Sequence, residues 1–298
     1  MAKDAVVIRG LERRFPSFRL GPLDMTVPAG AIYGLIGPNG AGKTTTLDLL
    51  LGMGAKDAGT IEVFGLDHVR DEVAVKRRIG YVGPDLSHTA WGRVDRLIGF
   101  VRGFYPDWDD TYCADLLDRL NIGRHDRIST LSFGARTKLS LVLALAHRPD
   151  LLLLDEPLAG LDVLSKQEVF AELLRAVQSE ERTVVISSHD LHDLERLTDH
   201  TGFLHRGQML LEGPTAEIVE RFRMLDCVLP ESAAPDTVPG VRVLGRQGDR
   251  WRLLADRRAG APAGILSAGA AEVAESPVTL EELFVGLTRE ARHENHPA

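Results

Sequence analysis

A glycine-rich stretch at residues 34–45 has the residue types and spacing needed to hold phosphate groups. It reads Gly-Leu-Ile-Gly-Pro-Asn-Gly-Ala-Gly-Lys-Thr-Thr, with the pattern G-x-x-x-x-G-K-[ST] from Gly37 to Thr44. Glycines let backbone N–H groups turn toward phosphate oxygens, and a following helix N-terminus adds partial positive charge. A chance glycine-rich turn is the alternative, but the strand-like run before and the helix-like run after favour a phosphate loop. The predicted nucleotide-binding residues are Gly37, Pro38, Asn39, Gly40, Ala41, Gly42, Lys43, Thr44 and Thr45.

A second chemical signal lies in Leu151–Pro157, which reads Leu-Leu-Leu-Leu-Asp-Glu-Pro. Four leucines predict a buried strand, and ligands of open α/β sheets bind where such strands end. Asp155 is expected to bind Mg²⁺ together with the Thr44 hydroxyl, and Glu156 to polarise an attacking water. Lys43, reaching the β- and γ-phosphates, joins Glu156 as a catalytic candidate. Acids that merely cap a strand end are the alternative, which the upstream phosphate loop makes weaker.

Two aromatic side chains complete the candidate site. His189 follows the predicted strand Thr183–Ile186, where it could contact a γ-phosphate, although a lone histidine is often structural. Phe15 lies upstream of the phosphate loop and could stack on a purine ring. The local sequence equally allows Phe15 or Phe18 to cover a sheet edge, and both interpretations stay open.

The elements that must position these residues alternate between strands and helices. Short apolar and β-branched runs predict strands, and residues 86–148 change to helical patterns. We expect a helical subdomain at about 86–148, a closing helix at 216–223, and a composition shift at residue 224. The predicted fold is α/β: a phosphate-loop NTPase sheet core in residues 1–223 with an antiparallel β subdomain and a helical subdomain, followed by a small β-containing extension in 224–298.

Composition excludes several classes of protein. The 298 residues carry a net charge of −8, which argues against a nucleic-acid-binding surface, so no nucleic acid partner is expected. The two cysteines, Cys113 and Cys227, have no metal-like spacing and predict no disulfide framework, as in a reducing cytoplasm. The longest apolar runs are too short for a membrane span, and no signal segment is expected.

Together these motifs resemble the ATPase subunit of ATP-binding cassette (ABC) transporters over residues 5 to about 223. Leu131-Ser132-Phe133-Gly134 stands in the place of the family's signature tetrad. Other stretches resemble bacterial ATPase subunits that pair with separate ABC-2-type membrane subunits. The matching stretches are Gly37–Thr44, Leu131–Gly134, Leu151–Pro157, Ala159–Asp162 and His189 for the family, with 104–109, 144–150 and 280–285 for the subgroup.

The resemblance implies a mechanism and partners. Two ATPase domains would dimerise head to tail around two ATP molecules, with the phosphate loop of one facing Ser132 and Gly134 of the other. Glu156 would drive hydrolysis, His189 would sense the γ-phosphate, and Asp162 would lie at the dimer contact. The expected partners are ABC-2-type transmembrane subunits and a second copy of the chain or a paralogous ATPase subunit. The chain would act on the cytoplasmic face of the cell membrane, with export as the expected direction.

Two departures from the family pattern bear on this expectation. Phe133 and Ala135 stand where the signature usually has Gly and Gln, which predicts retained binding with an altered dimer geometry. Pro84 stands where the family has a Gln that ligates Mg²⁺, and Pro has no side-chain ligand. Asp85, one residue later, is our candidate replacement at the metal.

Two other functions compete with transport as explanations of these motifs. A soluble ABC-type ATPase acting on ribosomes or nucleic acid is disfavoured by the single phosphate loop, the missing heptad run and the acidic balance. A non-catalytic assembly or regulatory subunit would explain Pro84 and the altered signature. The intact set of Lys43, Asp155, Glu156 and His189 argues against it.

Overall fold

The structure, a computed structural model, describes residues 4–84, 88–178, 181–230 and 232–288. The chain forms two compact units: the first runs to Asp190 and includes Leu197–Leu211, and the second holds Leu191–Arg196 and the chain from Glu212. In chain order, the regular elements are β1 (Asp4–Arg14), β2 (Arg19–Pro28), β3 (Ile32–Ile36), α1 (Lys43–Leu50), β4 (Ala58–Val63), β5 (Leu66–Asp67), α2 (Glu72–Arg77), β6 (Ile79–Val82), α3 (Val94–Arg102), α4 (Asp110–Arg119), α5 (Phe133–Leu145), β7 (Leu151–Asp155), α6 (Val163–Gln178), β8 (Thr183–Ser188), α7 (Leu191–Glu195), β9 (His200–His205), β10 (Gln208–Pro214), α8 (Thr215–Arg221), β11 (Phe222–Val228), β12 (Val241–Gln247), β13 (Arg250–Asp256), α9 (Ala261–Ser267), β14 (Ala271–Pro277) and α10 (Leu280–Thr288).

The central sheet of the first unit has the strand order β10-β9-β3-β8-β7-β6. β3 runs parallel to β8 and β9, and β7 runs parallel to β8 and β6. β3, β7 and β8 are buried along their whole length, as their continuous apolar runs require. Ile36 pairs with Ser188, and Asp155 pairs with Ser187. The phosphate loop, the two acids and His189 therefore follow strands that end at one edge of the sheet.

An antiparallel sheet with the order β2-β1-β4-β5 completes the strands of the first unit. Its long strands β1 and β2 pair along most of their length, up to the pair of Arg14 with Arg19. Leu11, Leu20 and Leu47 are fully buried in one core that both sheets and α1 share. The predicted combination of an α/β core and an antiparallel sheet is confirmed.

The helical segment between β6 and β7 contains α3, α4 and α5. Asp109 caps α4, since its carboxylate accepts a hydrogen bond of 2.8 Å from the Tyr112 N–H. Cys113, Leu116, Leu117 and Leu120 form a buried apolar stripe on this helix and the residue after it. α5 is buried on nearly all sides from Lys138 onward and packs beside β6, which fixes its N-terminal end near the edge of the central sheet.

The second unit contains an antiparallel sheet with the order β12-β13-β11-β14. The closing helix predicted at 216–223 is corrected here: α8 ends at Arg221, and residues 222–228 form β11. Phe222, Met224 and Cys227 are buried in β11, so packing overrides the helical pattern. A small core lies between this sheet and α9, built from Leu225, Trp251, Leu253, Ala261 and Ile265 among others.

Candidate functional site

The phosphate loop joins the end of β3 to the first residue of α1. Gly40 and Gly42 have φ values of +78° and +110°, a left-handed backbone that favours glycine. A Cβ on Gly37 would lie 2.2 Å from the carbonyl oxygen of Leu204, so this position has no room for a side chain. Gly42 caps α1 without a side-chain hydrogen bond. The free N–H groups of this first helical turn make a site for an anion.

Lys43 is buried beneath this loop, with only 5% of its surface exposed. Its ammonium donates hydrogen bonds to the carbonyl oxygens of Gly37, at 2.7 Å, and Pro38, at 3.3 Å. The same nitrogen lies 3.1 Å from Oε1 of Glu156. Loop carbonyls and a carboxylate therefore compensate its buried charge.

Glu156 contacts the other two residues proposed as catalytic, Lys43 and His189. It directly follows β7 with a φ of +52°, and its N–H donates to the hydroxyl of Ser187 at 3.0 Å. Its Oε2 lies 2.9 Å from Nδ1 of His189, while Oε1 faces Lys43. The carboxylate of Glu156 thus contacts the side chains of both Lys43 and His189 at the sheet edge.

Asp155 is fully buried next to Glu156. The hydroxyl of Ser187 donates to its Oδ1 at 2.5 Å, while its Oδ2 is buried without a hydrogen-bond partner among the described residues. On α1, burial and then the negative charge of Asp155 raise the pKa of Asp48. A buried free carboxylate oxygen calls for a cation, and it fits Mg²⁺, which prefers oxygen ligands. Thr44, the other predicted ligand, is exposed on the first turn of α1.

Ser187 is a site residue that the sequence reasoning did not assign. Its hydroxyl donates to Asp155 and accepts from the Glu156 N–H, so it ties the end of β8 to the two acids. The signal was a hydroxyl at the end of a strand predicted to be buried, two residues before His189. Asp85, the predicted replacement ligand, lies outside the described residues, and Pro84 is exposed after β6.

The remaining predicted residues form a second group, at the N-termini of α5 and α6. Ser132 caps α5, and its hydroxyl accepts from the Ala135 N–H at 3.1 Å. The carboxylate of Asp162 accepts from the N–H and the hydroxyl of Ser165, at 2.9 and 2.8 Å, and these bonds lower its pKa. A Cβ on Gly134 would lie 2.8 Å from that hydroxyl oxygen, so the two helix ends touch.

Among the described residues, the two groups make no direct polar contact within one chain. Across the described ranges, no hydrogen bond or ion pair joins Ser132, Gly134 or Asp162 to Lys43 or His189. The first group surrounds the phosphate loop, and the second presents a serine hydroxyl and a helix N-terminus to the surface. An anion held by the first group alone would keep one side uncovered.

Phe15 lies in the connection between β1 and β2, with 42% of its surface exposed. Its ring centroid is 6.1 Å from that of Phe18, and the guanidinium of Arg13 lies 5.3 Å from the Phe15 ring. Phe18 in turn lies against the phosphate loop, since a Cβ on Gly42 would be 3.0 Å from its Cζ. Phe18 is the ring that packs against the core, and the partly exposed ring of Phe15 lies beside Phe18.

The family model described as "ABC transporter" matches residues 20–159 of the chain. The chain is 34% identical to Nod factor export ATP-binding protein I of Burkholderia lata, covering 76% of each protein. It is 33% identical to the daunorubicin resistance ATP-binding protein DrrA3 of Streptomyces coeruleorubidus, covering 98% of each. It is 35% identical to the ABC transporter ATP-binding protein YtrB of Bacillus subtilis, where the match covers 62% of this chain and 63% of YtrB.

A solved structure supports the same fold. The chain superposes on the ATP-binding subunit of an ABC transporter with a TM-score of 0.65 and 22% sequence identity, covering 72% of this chain and 92% of the other. Within the described ranges, the helices lack either the length or the hydropathy of a membrane span.

Proposed function

Since this chain belongs to the ABC transporter family, we propose that it binds and hydrolyses ATP to power separate membrane subunits. One observation carries the proposal. Glu156 follows a buried strand at the ligand edge of the sheet and contacts both Lys43 and His189. A carboxylate in this position can accept a proton from a water molecule that attacks a bound phosphate.

ATP binding would begin at the phosphate loop. The N–H groups at Gly40–Thr44 and the positive end of α1 favour the triphosphate, and Lys43 moves its hydrogen bonds from carbonyl oxygens to the β- and γ-phosphates. Phe15 would stack on the adenine ring. Thr44 and Asp155 would hold Mg²⁺, which supplies positive charge against the phosphate oxygens when it is bound.

Hydrolysis would depend on Glu156 and His189. Once Lys43 has turned to the phosphates, Glu156 is free to accept a hydrogen bond and then a proton from a water molecule. The water oxygen bonds to the γ-phosphorus, and the bond from that phosphorus to the oxygen bridging the β-phosphate breaks. His189 contacts the same carboxylate at 2.9 Å and would hold Glu156 in place while contacting the γ-phosphate.

We infer a dimer from the lack of polar contacts between the two groups of residues. One copy covers the triphosphate from the phosphate-loop side, and the serine hydroxyl and helix N-terminus at Ser132 and Gly134 of a second copy would cover the other side. Asp162 bonds to the Ser165 hydroxyl, which lies against Gly134 of α5, and it would lie at the contact between copies. ATP would then hold the dimer together, and hydrolysis would release it.

The membrane partner and the direction of transport rest on the relatives. Their printed names describe ATP-binding proteins of Nod factor export and of daunorubicin resistance. We extend these roles to the present chain as an exporter ATPase that works at the cytoplasmic face of the membrane with ABC-2-type subunits. The membrane subunits would bind the ATP-bound dimer and the separated ATPase subunits with different affinities. ATP binding and hydrolysis would therefore shift the membrane subunits between two conformations.

Two measurements test the proposal. Purified chain should hydrolyse ATP in the presence of Mg²⁺, and Lys43→Ala should abolish the activity. Lys76→Ala is the control, because this lysine is exposed and pairs with Glu72. Tagged chain should also recover a polytopic membrane protein from detergent-solubilised membranes. Recovery of soluble partners alone, with the chain missing from the membrane fraction, would contradict transport and favour a soluble ATPase.

A further inference from the structure

Phe133 is the first residue of α5, and its aromatic side chain is 52% exposed although it contacts the same chain. A Cβ on Gly160 would lie 3.3 Å from Cε1 of Phe133 and within 3.9 Å of two further ring atoms. The ring therefore lies over the backbone of Gly160. A glycine at position 133 could make no such contact.

Gly160 belongs to the loop that directly follows Glu156. The Ala159 N–H donates to the Glu156 carbonyl oxygen at 3.1 Å, and the Leu161 N–H donates to Leu158 at 3.3 Å. Gly160 itself has a φ of +72°. The loop is thus a pair of tight turns that begins at the backbone of Glu156, and a ring placed on Gly160 restricts both turns.

A cavity of about 230 Å³ supports this connection. Phe133 and Arg136 of α5 line it together with Asp155, Glu156 and Ala159. The loop after Glu156 therefore has open space beside it, and the side chain of Phe133 restricts how far the loop can move into that space.

We propose that Phe133 is a positioning residue for ATP hydrolysis, which holds the Pro157–Asp162 loop and thereby the orientation of Glu156. The assignment rests on the proposed function, since Glu156 must act on a water molecule. Its physical basis is the packing of the ring on Gly160 within one chain. Phe133 contacts none of the reacting atoms in this role.

Steady-state ATPase kinetics of the full chain test the proposal. In Phe133→Ala, kcat should fall between about 10- and 100-fold while KM for ATP changes less than about twofold, because misplacement of a reacting group costs rate rather than binding. Phe133→Leu keeps an apolar side chain and should recover most of the rate. Phe104→Ala is the matched control, since Phe104 is an aromatic with 64% exposure on the helical segment.

A second measurement follows the mobility of the Pro157–Asp162 loop. Hydrogen exchange of the Ala159 and Leu161 amides should become faster in Phe133→Ala and return toward wild type in Phe133→Leu. An unchanged kcat, unchanged exchange at these amides, or a loss that is traced to weaker ATP-driven dimer formation would overturn the proposal. If the wild-type chain itself does not hydrolyse ATP, the proposed function fails, and the exchange data still decide whether Phe133 holds the loop.

Discussion

The ammonium of Lys43 lies 3.1 Å from Oε1 of Glu156, although 5% and 15% of their side chains are all that is exposed to solvent. This pair links the phosphate loop after β3 with the acidic end of β7. In the proposed mechanism, Lys43 binds phosphate and Glu156 activates water. We therefore expect nucleotide binding to exchange this ion pair for contacts of Lys43 with phosphate, which leaves Glu156 free to contact water.

Replacing Glu156 should separate binding from hydrolysis. In Glu156→Gln the side chain keeps its shape but cannot take a proton, so the hydrolysis rate should fall by at least about 100-fold. ATP affinity should be retained or increased, because Lys43 loses a competing carboxylate. Size-exclusion chromatography with saturating ATP should show a trapped dimer. A variant that stays monomeric under these conditions would argue against the ATP-sandwich mechanism, and Glu72→Gln, an exposed acid paired with Lys76, is the control.

His189 should matter for rate more than for nucleotide affinity. Its Nδ1 lies 2.9 Å from Oε2 of Glu156, so His189→Ala removes a contact that orients the carboxylate. We expect a loss of about tenfold or more in kcat, with partial recovery in His189→Gln, which retains a hydrogen-bond donor. His125→Ala is a suitable control, since this exposed histidine pairs with Asp95. Equal activities of wild type and His189→Ala would leave His189 without a catalytic role.

Phe15 should contribute to nucleotide affinity through its exposed ring. Base stacking on an aromatic side chain is worth about 1–3 kcal/mol, so Phe15→Ala should weaken ATP binding between about 5- and 150-fold. GTP binding should weaken by a similar factor, because every base offers a π-face. Equilibrium titration with a fluorescent nucleotide measures the effect. Phe100→Ala is matched in exposure, at 46% against 42%, and should bind ATP as wild type does. An unaltered affinity of Phe15→Ala would rule out stacking.

The second unit offers a prediction about stability and pH. Arg221 donates to both carboxylate oxygens of Asp256, and these bonds are the main cause that lowers the pKa of Asp256 below 3.8. Arg221→Ala should cost about 2 kcal/mol of unfolding free energy at pH 7, as for hydrogen bonds between charged groups. A carboxyl group whose pKa is lowered by folding stabilises the folded state at pH values above its ordinary pKa. This contribution disappears as the pH falls through the lowered pKa. The cost of Arg221→Ala should therefore stay constant from pH 7 to 5 and shrink below pH 4.

Urea unfolding followed by tryptophan fluorescence measures this difference at each pH. Arg258→Ala provides the comparison, because Arg258 forms an ion pair with Glu217 in which both side chains are more than 60% exposed. Exposed pairs contribute little, so this variant should change stability much less. A cost of Arg221→Ala that did not diminish in acid would show that its guanidinium stabilises the unit by packing and not by charge.

The sequence predicts the local parts of the site well and their connections poorly. The phosphate loop and the acids at the end of β7 can be recognised in the sequence because each motif consists of a few adjacent residues. The bond from Ser187 to Asp155 could not be predicted, since it joins residues 32 positions apart through strand pairing. The same holds for the pair of Lys43 with Glu156, which exists only once β3, β8 and β7 lie side by side.

Tertiary packing also explains the errors of secondary structure. β11 begins at Phe222, where a helical pattern continues, because its residues pair with β13 and β14 on both sides. β14 is mostly exposed and rich in alanine and glutamate, so neither periodicity nor β-branched residues mark it. α9 contains Pro262 and Gly264, which disfavour a helix in sequence, yet Ala261 and Ile265 are held in the core of the second unit.

The strand order of the central sheet determines when its strands can pair during protein synthesis. β3 lies between β8 and β9. The N–H of Gly30, two residues before β3, donates to the hydroxyl of Thr183, 153 residues further along the chain. At about 5–20 residues per second, the ribosome needs roughly 8–30 s to make that intervening length. The strand that leads into the phosphate loop therefore leaves the ribosome long before either neighbour exists. The nascent chain carries this apolar strand unpaired for that time, and the nucleotide site can form only after most of the first unit has been translated.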